Sequence, residues 1–109
     1  MKRGDVVTVA DRSGGFTGKP RPSLVAQSDF FADTNTVVIC PLTSDRVAAP
    51  LIRFQVEPSS ILPLNHVSWV EVDMITVVRK RRIGPVIGRI SDAEMLRLNS
   101  ALAVFLGLG

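Results

Sequence analysis

The chain is poor in the residues that usually announce a chemistry. It has one cysteine (Cys40), one histidine (His66), one tryptophan (Trp69) and no tyrosine in 109 residues. A lone cysteine cannot form an internal disulfide, and one cysteine with one histidine gives no metal-ligand cluster of the usual spacing. No apolar run approaches the ~20 residues that a membrane-spanning helix needs. Phe16, Phe30, Phe31, Phe54, Phe105 and Trp69 are the only rings, too few for the broad aromatic platform of an RNA-recognition motif. The start, Met1-Lys2-Arg3-Gly4-Asp5, leads directly into a valine-rich strand, so no signal peptide is expected. With one free thiol, this points to the cytoplasm.

What is present is enough apolar material for one core. Hydrophobic residues make up 46% and charged residues 21%, which argues against disorder and for a single domain over 1–109. Several short apolar runs read as strands: Asp5–Val9, Ser23–Gln27, Thr36–Cys40, Leu51–Val56, His66–Val72, Ile75–Val78 and Val86–Ile90. Breakers at Asp33-Thr34-Asn35, Pro58-Ser59-Ser60, Pro63 and Gly84-Pro85 separate them. The period then changes. Ser91 and Glu94 form a capping-box pattern, Met95, Leu98, Leu102 and Phe105 recur at helical spacing, and Gly107 supplies a stop. The expected fold is mainly β with added helices (α+β): a small barrel or curled sheet of short, mostly antiparallel strands with a C-terminal helix. The helical stripe reads as core, and its apolar end, Val104 to Gly109, is the part available to join two subunits.

The charge is modest at +3, but ten of the thirteen basic residues are arginines. Arg79, Lys80, Arg81, Arg82 and Arg89 lie close together with no acidic residue between them. Such a group suits nucleic acid, an acidic partner or plain solvation. Arg21 is distinctive because it stands between Pro20 and Pro22, after the glycine-rich Gly14-Gly15-Phe16-Thr17-Gly18. Proline fixes its own φ and restricts the residue before it. A guanidinium on so stiff a backbone is suited to clamp a phosphate; the alternative is a strand-entry turn with a solvated arginine.

Read in order, these segments resemble the MazF/PemK (Kid) toxins of bacterial toxin–antitoxin modules. The resemblance rests on Lys2-Arg3-Gly4-Asp5-Val6-Val7, Lys19–Gln27, Val38-Ile39-Cys40-Pro41-Leu42-Thr43-Ser44, Ser68-Trp69-Val70-Glu71-Val72-Asp73, Lys80–Gly84 and Ile87–Ser91. It implies an SH3-like barrel, a homodimer, and a cognate antitoxin that covers the RNA groove. It also implies metal-free, cofactor-free cleavage of single-stranded RNA. The ribose 2′-OH attacks the adjacent phosphorus, leaving a 2′,3′-cyclic phosphate and a 5′-OH.

By that resemblance Arg21, Thr43 and Asp73 are the catalytic set, with Arg21 stabilising charge on the phosphate. Thr43-Ser44-Asp45 also reads as a strand-end turn, and Asp73 as a turn cap. Phe16, Lys19, Ser44, Phe54, Arg79, Lys80 and Arg82 are the expected RNA contacts, Phe16 and Phe54 by stacking. Neutralising Lys80 and Arg82 would then weaken RNA binding and flatten its salt dependence. Glu71 stands where the Kid branch has arginine, and Met74 and Thr76 depart from the family's Asp-Gln-Ile-Arg stretch. His66 reads as a loop residue. CcdB-type gyrase poisons share the fold and are the alternative, but their Trp-Gly-Ile end is absent from Phe105-Leu106-Gly107-Leu108-Gly109. A silent SH3-like binding module is a third reading.

Overall fold

A computed structural model describes residues 1–10 and 20–109. Its strands are β1 (Asp5–Val9), β2 (Arg21–Val25), β3 (Thr36–Thr43), β4 (Arg53–Val56), β5 (Ser68–Glu71), β6 (Thr76–Arg79) and β7 (Ile83–Arg89). One helix, α1 (Asp92–Leu106), ends the chain, and 3-10 turns occupy Asp29–Phe31, Val72–Met74 and Lys80–Arg82. All strand pairings are antiparallel, in the order β4-β5-β3-β2-β1-β7, with β6 also paired to β3. Among the described residues β4 and β7 do not pair, so the sheet is open at that seam, while the expected mainly β fold of antiparallel strands with a C-terminal helix is present.

The organising strand is β3. Its inner edge pairs with β2 at Ile39–Pro41, while its outer edge pairs first with β6 (36–39) and then with β5 (42–43). Pro41 has no N–H to give a ladder. It falls where the outer edge changes partner, so its missing donor is tolerated. The apolar β-branched run predicts this strand over Thr36–Cys40. The structure carries it on to Thr43.

Alternation gives both sheet faces something to bury. Val6, Leu24, Cys40, Leu42, Phe54, Val70 and Val72 face the main core with Leu98 and Ala101 of α1. Val7, Val9, Val25, Val37, Ile39 and Val78 form a second cluster. Cys40 is fully buried, and its thiol is pushed up to about 11, chiefly by desolvation.

The helix begins and ends as its residues predict. Ser91 Oγ accepts from Glu94 N at 3.2 Å, and Glu94 returns a carboxylate oxygen to Ser91 N at 2.8 Å. Gly107 closes the helix in the left-handed region at φ 72°. The apolar stripe is only half covered, however. Leu98 and Ala101 are buried, but Leu96 is 68% exposed and Phe105 42% exposed. The first turn of the helix is locked to the chain start: a Cβ on Gly4, which has φ +93°, would meet Met95 Sδ at 2.8 Å. Arg3 adds three bonds, from its N to Asp29 Oδ1 (2.7 Å), from Nε to the Ala26 carbonyl (2.8 Å) and from Nη2 to Asn99 Oδ1 (2.7 Å).

Candidate RNA-contact face

Arg21 is the first residue of β2 and is exposed, paired with Val9 of β1. The β2–β3 register runs Ser23↔Pro41, Leu24↔Cys40, Val25↔Ile39. Carried two residues on, it sets Arg21 level with Thr43, the last residue of β3. The ladder itself covers Ser23–Val25 with Ile39–Pro41; continued in the same register, it would put these two expected site residues on one face of the sheet. The tight turn after β3 uses the Thr43 hydroxyl as an acceptor for Asp45 N at 3.1 Å. A hydroxyl accepts and donates at once, so its proton remains available to a phosphate oxygen. Ser44 follows in the turn and is exposed.

Asp73 is held differently. It sits in the turn after β5 and takes both Arg53 Nε (3.0 Å) and Arg53 Nη2 (3.1 Å) on its two carboxylate oxygens. Arg53 Nη2 also lies 3.2 Å from Glu71 Oε2. The hydrogen bond from Arg53 holds the Asp73 carboxyl below its ordinary range. That makes it a weaker proton acceptor than a general base should be. Arg53 was not singled out from the sequence. The signal was there in the alternation of Leu51–Val56, which puts Arg53 and Gln55 on one face.

The folded pKa of Asp73 lies below its unfolded value, so the pair stabilises above the unfolded carboxylate range, near pH 4, and its contribution fades as pH falls through the folded pKa. Asp73→Asn should therefore cost about 1.5 kcal/mol at pH 7, and the difference from wild type should shrink by pH 3. Urea unfolding at the two pH values measures this. A gap that does not change with pH would remove the ion pair as its cause.

The other expected RNA contacts scatter. Phe54 is a correction: it is 8% exposed and lies within the main core, on the opposite sheet face from Arg53 and Gln55, so its ring is committed to packing. Arg79 pairs with Thr36, at the far end of β3 from Thr43, roughly 20 Å along the strand. Lys80 donates its Nζ to the Ala32 carbonyl. Arg82 gives both Nε (3.0 Å) and Nη2 (2.7 Å) to the Ala10 carbonyl. Phe16 and Lys19 lie outside the described residues. Arg82 thus anchors the end of β1. Arg82→Ala should lower stability by about 1–2 kcal/mol and leave the salt slope of RNA binding nearly unchanged. A slope reduced by about one would place Arg82 on a phosphate instead.

No group of three or more His, Cys, Asp or Glu side chains that could hold a metal occurs among the described residues. None of their helices is long and apolar enough to cross a membrane.

An open antiparallel sheet capped by one helix, with Arg21 exposed at the start of β2 and Thr43 at the end of β3, defines a small α+β protein. The model of the PemK-like, MazF-like toxins of type II toxin–antitoxin systems matches residues 2–106. The chain is 41% identical over 108 residues to the probable endoribonuclease MazF of Mycolicibacterium smegmatis, covering 99% of this chain and 98% of that one. It superposes on an endoribonuclease in complex with its cognate antitoxin from a mycobacterial species, with TM-score 0.78, 27% identity, and 100% and 97% of the two chains covered. The Mycobacterium tuberculosis toxin MazF-mt6 shares the fold, with TM-score 0.79 at 19% identity over 95% and 98% of the chains. The chain belongs to the PemK-like, MazF-like toxin family. The same matches leave the gyrase-poison alternative without support.

Proposed function

We propose that this protein is the endoribonuclease toxin of a type II toxin–antitoxin pair, cutting single-stranded RNA by attack of a ribose 2′-OH on the adjacent phosphorus. What supports the residue assignment is the β2–β3 pairing, whose register, continued past Ser23↔Pro41, would bring Arg21 opposite Thr43 in a chain of this family. In the step, the 2′-oxygen bonds to phosphorus as the bond to the 5′-oxygen breaks. The 2′-OH proton passes to solvent water, and the leaving 5′-oxygen takes its proton from solvent water. Negative charge grows on the non-bridging oxygens, where a guanidinium stabilises the transition state more than the ground state. Arginine's very high pKa makes it a poor proton donor, so stabilisation is the role assigned to Arg21. Thr43 gives a hydrogen bond through its hydroxyl to the same phosphate or orients the 2′-OH for attack. Asp73, paired with Arg53, acts as a positioning residue that fixes the turn after β5.

The partners follow from the family and from the surface. A cognate antitoxin is the expected protein partner, since the mycobacterial endoribonuclease on which this chain superposes was solved in complex with its own. A second copy of the chain covers the exposed end of α1, where Val104, Phe105, Leu106 and Leu108 are each more than 40% exposed. An apolar patch of this kind marks an interface. The proposed site of action is the cytoplasm, where RNA is met and a free thiol persists.

The test is a long single-stranded RNA with purified protein in excess EDTA. Discrete cuts ending in 2′,3′-cyclic phosphate support the reading. Intact RNA with a folded dimer overturns it.

A further inference from the structure

The row that holds Arg21 and Thr43 does not stop at β3. Thr43 pairs with Trp69 of β5, and Trp69 pairs with Gln55 of β4. Directly opposed residues share a face. One face of the sheet therefore carries, strand by strand, a guanidinium, a hydroxyl, an indole and a carboxamide. Successive strand axes lie about 4.8 Å apart, so the indole stands one strand from Thr43. That is the reach of a single nucleotide.

The surroundings suit such a guest. Trp69 and Gln55 line an open groove of about 850 Å³ that runs from beside Thr43 toward the 46–51 segment and α1, with Arg46, Arg53, Leu96, Arg97 and Val104 on its walls and without Arg21 or Thr43 in its lining. Trp69 is half-buried, and Gln55 is exposed. Among the described residues Arg53 is the arginine tied to carboxylates, which leaves Arg46 and Arg97 as exposed cations beside the groove. An unstacked base needs a flat apolar face, in-plane hydrogen-bonding groups at its edge, and positive charge along its backbone. Indole supplies the first and the arginines the third. Gln55 supplies the second: its Nε2 gives one hydrogen to Glu57 Oε1 at 3.2 Å. Its carbonyl oxygen and second N–H remain for a ligand.

We propose that Trp69 and Gln55 form a base subsite for the nucleotide beside the phosphate held at Arg21 and Thr43. Trp69 stacks on that base and Gln55 reads its edge. The proposal rests on the ribonuclease reading and adds to it a specificity-determining pair.

Because Trp69 is the chain's only tryptophan, its fluorescence reports on this subsite alone. The probe is a random-sequence pool of short 2′-O-methyl oligonucleotides, which have no free 2′-OH and cannot be cut. Saturable quenching of wild-type protein is expected. In parallel, cleavage kinetics and cut-site mapping on a long unmodified RNA are compared across variants. Trp69→Leu should raise KM about 10-fold with kcat within about twofold. Trp69→Phe, which keeps a ring, should recover most of the loss and guards against a folding defect. Gln55→Ala, an exposed change, should relax base preference at one position flanking the cut. Cleavage by wild type with no quenching, and with KM and cut sequence unchanged in Trp69→Leu and Gln55→Ala, would overturn the subsite and leave the nuclease standing. Quenching without any cleavage would keep the subsite and remove the nuclease. Neither quenching nor cleavage would remove both.

Discussion

Arg21→Ala should cut RNA about 10²–10³-fold more slowly than wild type, with an unchanged unfolding midpoint. The size is that of removing one preorganised donor aimed at developing negative charge. The lack of a stability effect follows from position: Arg21 is exposed at the start of β2. The strand's burial is carried instead by Ser23, Leu24 and Val25. The loss should fall on kcat more than on KM, because charge on the phosphate rises in the transition state. Arg21→Lys should recover only part of it, since a point charge replaces a two-pronged fork. The readout is single-turnover cleavage beside a thermal melt. A variant that still cuts at the wild-type rate would return Arg21 to the role of a solvated strand-entry residue.

Leu98→Ala should be the most damaging of the single truncations considered. Leu98 is fully buried on the inward face of α1, within the cluster that includes Val6, Leu24 and Cys40. Removing three carbons there loses burial and leaves a cavity that the sheet cannot close, at a cost of about 3 kcal/mol. For a domain of this size that corresponds to a fall in Tm on the order of 15 °C. Leu96→Ala, one turn-face away and 68% exposed, should move the midpoint hardly at all if the chain is studied as a monomer. Thermal melts of the pair separate core packing from helix propensity. Equal losses would mean that α1 is not docked by Leu98.

The elements most legible in the sequence were those decided by local chemistry. β1 was read at its observed bounds, since Val6, Val7 and Val9 have no competing period. The capping box at Ser91 and the left-handed Gly107 needed only neighbouring residues. Features decided by distant contacts were not legible. Nothing local says that Pro41 will sit at a change of partner strand, so β3 was read short. Phe54 looks the same in sequence whether its ring faces RNA or the core; the β4–β5 register turns it inward beside Val70. Lys80 and Arg82 read as phosphate ligands because they are basic, yet their charged ends meet the Ala32 and Ala10 carbonyls, brought close by β6 and the turn after it. Arg53 and Asp73 are twenty residues apart, and their ion pair exists only because β4 lies beside β5. In the site, Arg21 was marked out by its two flanking prolines, and its role, like that of Thr43, came through family resemblance. Their adjacency is a product of sheet register, which sequence spacing does not encode.

Cys40 gives the fold a built-in clock. Its sulfur is sealed between β2 and the helix-covered core, and burial holds the thiol protonated up to about pH 11. The thiolate is the reactive species, so an alkylating reagent at pH 8 can trap this sulfur only from molecules that have opened. The alkylation rate, read as one mass increment, therefore counts excursions of the central strand itself. Mild oxidants that would disable an exposed thiol should pass this molecule by while it stays folded.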